Sequence, residues 1–233
     1  MVCNGTSEVD WQAVLELARQ YEEVVPCFGL HPWFVKERSA DWVARLEGYL
    51  NAVPSAVGEI GLDRWVGDRD EAAQEEVFRA QLRLAHERKL PVMIHCLRAW
   101  GRLLEILDEV GPPPAGMLIH SFGGAAEMIP PLARMGAVFS FAGNILQPAR
   151  KRARRSLPAV PRELFLLETD APALPPPKPF APFTIEAADG ALLNEPANLP
   201  AIAEGVAELR GESPDDLVRT VWHNARRLLG DLL

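Results

Sequence analysis

Residues 55–96, SAVGEIGLDRWVGDRDEAAQEEVFRAQLRLAHERKLPVMIHC, decide the fold. The segment opens on SAVGEI, short and almost wholly apolar. It runs on into EEVFRAQLRLAHERK (Glu75–Lys89), whose apolar residues recur at helical spacing, and closes on LPVMIHC (Leu90–Cys96), a second short apolar run. Strands apolar on both faces alternate with amphipathic helices where a parallel sheet is covered by helices, because each crossover lays a helix over the sheet. One acid interrupts the pattern. Glu59 ends the first apolar run, and a carboxylate there loses its hydration and is driven to neutralise unless something compensates it.

The unit recurs on both sides. Toward the N-terminus stand a short strand in MVCNG, a helix in EVDWQAVLELARQY, a strand in EEVVPCFGLHPW and a helix in DWVARLEGYL. Toward the C-terminus come a helix in GRLLEILDEV, a strand in GMLIHSF, a helix in AAEMIPPLARM weakened by Pro130 and Pro131, and strands in GAVFSFAG and RELFLLETDAP. A phosphate-cradling G-x-G-x-x-G or G-x-x-x-x-G-K-[ST] after the first strand would favour an open doubly wound sheet, and neither occurs. The expectation is therefore an α/β fold of the closed (β/α)8 TIM type, one domain over residues 1–233. A proline-rich stretch from Ala171 to Asn198 is too long for a plain connection and reads as a wall or lid over a site, or else as a solvated linker. Two helices finish the chain, the second opening at SPDDLVRTVW, where Ser213 and Asp216 have capping-box-like spacing.

The formal net charge of -8 would repel nucleic acid on average, so binding a polyanion requires a local basic site or metal ions. Cys3, Cys27 and Cys96 are odd in number and lack C-x-x-C spacing, which speaks against a disulfide framework or zinc knuckle and for a reducing cytoplasm. The first residues carry acids where a signal peptide needs a basic and then an apolar run, and no segment is apolar over a spanning length. A cytoplasmic monomer without membrane association is the expectation.

Four strands end in residues able to bind a metal: Glu59 in VGEIGLD, His95 in VMIHC, His120 in LIHSF and Asp170 in LLETDAP. In a parallel barrel all strand C-termini open on one face, so residues distant in sequence converge there. A divalent cation beside Glu59 would keep its carboxylate ionised, and neutral imidazoles are ordinary partners for zinc or a similar ion at about 2.0–2.2 Å. Alone, a strand-end histidine is more simply a hydrogen-bonded group and a strand-end acid a helix cap. Four of them at matching positions point to a metal site.

Other residues are less decisive. His31 in FGLHPW suits a rigid substrate-facing turn as well as a ligand. Asp63 either orients a ligand histidine or caps its loop. His86 reads as surface and His223 as packing, while Trp11, Trp42 and Trp222 read as core or staple residues. The run RKRARR, Arg150–Arg155, reads as a solvated helix face with some reach toward phosphates.

The words GLHPW, GEIGLD, LPVMIHC, HSFGG, LLETDAP, NEPANLP and NARRLL, spread from about residue 29 to 229, together resemble the TatD family of metal-dependent hydrolases. The resemblance implies a barrel that hydrolyses phosphodiester bonds of DNA or an oligonucleotide with two divalent metals, zinc, magnesium or manganese. It further implies that Glu59 bridges both ions, that His95 and His120 complete one site, and that Asp170 belongs to the other; Asp170 is also the candidate general base. The family places an arginine two residues beyond the first of these histidines; this chain has Leu97 there and Arg98 next to it, so Arg98 is the expected substrate contact there, beside His31 of the FGLHPW turn.

The family's first strand also carries an aspartate and a His-x-His pair, and the chain begins at MVCNGTSE, which is similar to the family's second strand. The expectation is that the first strand and helix are missing, so that Met1 is internal to a longer reading frame or the chain is a weakly active truncation retaining one or two metals. Hydrolysis of another ester or an amide is the alternative chemistry for such barrels. Many amidohydrolases bridge their metals with a modified lysine at the fourth strand; Glu59 at the corresponding place favours the phosphodiesterase.

Overall fold

The computed structural model describes the backbone of residues 1–233 and every side chain but that of Asp231. Its contacts divide the chain into two compact units, residues 1–120 with 134–137 and 228–233, and residues 121–133 with 138–227.

In the first unit β1 (Val2–Asn4), β2 (Val25–Phe28), β3 (Ala56–Asp63), β4 (Val92–Leu97) and β5 (Met117–Ile119) pair in chain order, every pair parallel. The crossovers carry α1 (Trp11–Gln20), α2 (Trp42–Ala52), α3 (Glu71–Arg88) and α4 (Trp100–Val110). The short strand expected in MVCNG is β1. Cys27, Phe28, Val57, Ile60, Val92 and Ile94 are fully buried, the condition under which a strand reads as a continuous apolar run. Trp11 and Trp42 lie in the core as expected, and the Trp11 Nε1–H donates to the Gly29 carbonyl at 2.8 Å.

β3 departs from its reading in one respect that matters for function. It continues through Asp63, so Glu59 stands mid-strand and not at its end. Val57 opposes Val92 while Ile60 opposes Ile94, so three steps along β3 match two along β4. The surplus residue is a bulge, which interrupts the strict alternation of side chains and re-aims the residue beside it, here Glu59. Just beyond, Gly61 has φ 139°, and a Cβ there would lie 1.9 Å from the His95 carbonyl oxygen. Only glycine lets β3 and β4 approach so closely.

In the second unit β6 (Ala137–Ala142) and β7 (Phe165–Glu168) pair in parallel along Phe139–Phe165 to Ala142–Glu168. Phe122, Phe139, Phe141 and Phe165 form its aromatic core, Phe122 edge-on to Phe139 at 5.1 Å and Phe141 stacked on Phe165 at 5.4 Å. α5 (Ile129–Arg134) is short and carries Pro130 and Pro131 in its first turn, where a missing N–H leaves no bond unmade. α6 (Lys151–Ser156) takes up the basic run, with Lys151, Arg152 and Arg155 exposed.

The proline-rich stretch is anchored and not a free linker. It holds a small antiparallel pair, β8 (Ile185–Glu186) with β9 (Leu192–Leu193). Two buried asparagines of NEPANLP tie it down: Asn194 Nδ2 donates to the Thr169 and Ala173 carbonyls at 2.7 and 3.1 Å, and Asn198 Nδ2 to the Phe183 carbonyl at 2.8 Å. α7 (Leu199–Arg210) and α8 (Pro214–Leu229) follow. Trp222 is 58% exposed and His223 is exposed, against the packing roles expected of them. Leu217 and Asn224, two turns apart, mark the buried stripe of α8, and residues 222 and 223 fall off it. Both units are parallel strands covered by helices, the α/β arrangement of TIM-type folds.

Candidate metal centre

Glu59, only 8% exposed, gathers three imidazoles around one oxygen. Its Oε1 lies 3.2 Å from His95 Nδ1 and 3.7 Å from both His31 Nε2 and His120 Nε2. Donor atoms of His31, Glu59 and His95 all lie within 4.8 Å of one another. The backbone explains the convergence. His95 is on β4 opposite Gly61, and His120 directly follows β5, its N–H bonded to the Ile94 carbonyl at 2.9 Å. His31 follows β2, with its N–H on the Thr6 carbonyl at 2.8 Å.

Asp63, fully buried, organises the cluster from behind. Its Oδ2 accepts from Trp33 Nε1–H at 2.7 Å and faces His95 Nε2 at 3.0 Å; its Oδ1 accepts the backbone N–H of Trp65 at 2.6 Å and of Val66 at 3.3 Å. Orienting a histidine and capping a loop, alternatives in the sequence, are thus one carboxylate's two edges. Burial alone would raise the Asp63 carboxyl, but the bonds from His95, Trp33 and Trp65 outweigh it and bring it down to about 2.

This fixes what His95 offers. With Nε2–H committed to Asp63, Nδ1 and Glu59 Oε1 face each other across 3.2 Å with a lone pair each, and only a proton or a cation between them relieves the repulsion. Without a cation the surroundings favour a proton there: burial works against a charged ring, yet the bonds to Asp63 and Glu59 raise the His95 pKa above its ordinary value. Burial likewise opposes ionisation of Glu59, but His120, the hydrogen bond from His95, and His31 hold its carboxyl far below the usual range. An ionised carboxylate and imidazoles of the right tautomer form a donor set suited to a divalent cation.

His31 differs. The Trp33 backbone N–H donates to its Nδ1 at 3.2 Å, which places the ring proton on Nε2 and turns that atom into a donor. Burial pushes its pKa down to about 4, so the ring is neutral at physiological pH. A neutral N–H donor is what a substrate-facing turn supplies. Arg98, the other expected substrate contact, is exposed and has a left-handed backbone, φ 59°; its guanidinium lies 3.8 Å over the Trp65 ring. Asp170 follows β7 in the second unit with φ 58°, next to Thr169, whose Oγ1 accepts the Ala171 N–H at 3.3 Å.

Two features escape a reading of the sequence. Trp33 and Trp65 are 52% and 58% exposed and both bonded to Asp63. Gln74 and Gln81 are buried on α3, seven residues and two turns apart. Gln81 accepts the Leu30 N–H and donates to the Leu30 carbonyl; Gln74 accepts the Asp63 N–H and donates to the Pro32 and Asp63 carbonyls. They clamp the segments bearing His31 and Asp63. Polar residues at a spacing of seven on an otherwise apolar face were their signal.

The family model described as TatD related DNase matches residues 1–230. The "3'-5' ssDNA/RNA exonuclease TatD" of Pantoea ananatis is 36% identical over 241 aligned positions, covering 99% of this chain and 87% of that protein. An uncharacterised metal-dependent hydrolase of Bacillus subtilis, YabD, is 30% identical, covering 92% of this chain and 80% of its own length. Among solved structures, the TatD homologue YJJV of Escherichia coli superposes with a TM-score of 0.87 at 27% identity, over 97% of this chain and 85% of that one. A buried glutamate ringed by imidazoles on parallel strand ends, and a match along nearly the whole sequence, lead to one conclusion: the chain belongs to the TatD family of DNase-related, metal-dependent hydrolases.

Proposed function

We propose that this protein is a divalent-metal-dependent phosphodiesterase that trims single-stranded DNA or RNA, with residues 1–233 forming one catalytic domain. The observation that carries the reading is the pairing of His95 Nδ1 with Glu59 Oε1 at 3.2 Å, backed by the Asp63–His95 bond: a ligand pair already oriented for a cation. The relatives named as 3'-5' single-strand exonucleases support trimming from the 3′ end. Among the described residues no helix is long and apolar enough to cross a membrane; action as a monomer in the cytoplasm is part of the same proposal.

Glu59, His95 and His120 would hold zinc, magnesium or manganese, with Asp170 contributing to a second ion. When bound, such an ion would supply positive charge for phosphoryl oxygens and lower the pKa of a water toward neutrality. His31 presents Nε2–H to a non-bridging phosphate oxygen, and being neutral it does so without drawing a counter-charge. Asp63 keeps the His95 proton on Nε2, leaving Nδ1 free to bind. Asp170 would serve as general base, its carboxylate oxygen accepting a proton from the attacking water. Arg98 adds a positive charge that a chain of net charge -8 otherwise lacks on average.

The test pairs metal analysis after dialysis with cleavage of a 5′-labelled single-stranded oligonucleotide in magnesium, manganese or zinc. Stepwise shortening abolished by chelator and by Glu59→Gln is expected. Chelator-resistant cleavage, or turnover confined to an accompanying panel of amides and lactones, would contradict the reading.

A further inference from the structure

We propose that Trp65, backed by Arg98, is a stacking platform for the terminal base of a single-stranded nucleic acid, so that the protein reads the presence of an unpaired base at the end it trims. This deepens, and rests on, the function proposed above. Trp65 is 58% exposed, as is Trp222, but Trp65 is joined to the cluster on Asp63 and carries a guanidinium on its ring. The backbone at Trp65 is tied to the site: its N–H donates to Asp63, the same buried carboxylate that faces His95, so the chain carrying the indole is anchored to the His95 cluster through a single residue. Arg98 covers one face at 3.8 Å.

A ring with one face under a guanidinium presents the other to a ligand, and the guanidinium adds positive charge where a polyanion would pass. The occupant that suits both parts is a nucleotide: a flat π-face for the indole and a phosphate for the cation. Trp33 shares the anchor through Nε1–H on Asp63 and stands edge-on to His31 at 5.1 Å, extending aromatic surface toward the imidazoles. Stacking tolerates any base, because every base has a π-face, but it requires one that is not already stacked and paired in a duplex. Single strands are preferred for that reason.

The experiment compares two 5′-fluorescein-labelled single-stranded decanucleotides with phosphorothioate linkages at the 3′ end, one ending in a base and one in an abasic residue. Binding to the magnesium-loaded protein is read by anisotropy. The unsubstituted protein is expected to bind the base-terminated strand about tenfold more tightly. Trp65→Ala should bring the two affinities within about twofold, while Trp65→Phe, which keeps a ring, should retain most of the difference. Equal binding of both strands by the unsubstituted protein, no measurable binding of either, or undiminished discrimination in Trp65→Ala would overturn the proposal. Because affinity is measured without cleavage, a protein that discriminates yet hydrolyses nothing sinks the hydrolase reading and leaves the platform standing.

Discussion

Asp63 holds a histidine, an indole N–H and two backbone N–H groups at once. A carboxylate offers about four lone-pair directions, and here all are used. Replacing it by asparagine keeps the shape but turns two acceptor directions into donors, facing Trp33 N–H and His95 N–H or the loop N–H groups. Asp63→Asn is expected to lower metal affinity about 10–100-fold and to cost roughly 2 kcal/mol of stability at neutral pH. The sign of the pH dependence follows from its carboxyl lying at about 2 instead of 3.8. Below the ordinary value the unfolded chain binds a proton that the folded one resists, so the contribution is whole above about pH 4 and fades as pH falls toward about 2. Denaturant melts of both metal-free proteins from pH 7 to pH 2 check this; a stability gap that stays constant across that range would refute it. The sequence left the role of this residue divided between two options, because a one-dimensional pattern cannot say that one oxygen faces a histidine 32 positions away.

β3 teaches the same lesson at the level of an element. Its existence was plain in SAVGEI, yet its bulge was not, since a strand buried on both faces has no polar alternation whose slip would betray an extra residue. Gly61 is the most constrained position of the pairing. Gly61→Ala must both hold φ 139° with a side chain and displace the His95 carbonyl, so a loss of about 3 kcal/mol or more is expected, with bound metal lost in step because β4 carries His95. Thermal melts and metal content of the purified variant measure both; a variant of unchanged stability and full metal would show that β3 and β4 separate freely. α3 hid its function differently. Its apolar periodicity announced a helix, but Gln74 and Gln81 serve Pro32, Asp63 and Leu30, residues whose unpaired backbone groups no local reading could have located.

Across the whole molecule, metal and fold are thermodynamically linked, because a cation that binds the folded state alone stabilises it in proportion to its saturation. At a free concentration near 100 times Kd this amounts to about 2.7 kcal/mol. For a chain of this size each kcal/mol shifts Tm by roughly 2–4 °C, so chelation is expected to lower Tm by about 5–10 °C and re-addition of the ion to restore it. Scanning calorimetry with metal content verified on both samples is the measurement; identical Tm values would argue that no ion is bound by the folded cluster. What the sequence determined alone was the alternation of apolar strands and amphipathic helices, the candidate ligands Glu59, His95, His120 and Asp170 by residue type and place in the repeat, and the family words in order, all properties of residue type and spacing. Tertiary structure alone decided the tautomer of His31, the bulge that turns Glu59 inward, and the joining of Trp33, Trp65 and His95 on Asp63. Those depend on which atoms approach within hydrogen-bond distance, and that is set by strand register and loop closure between segments far apart in the chain.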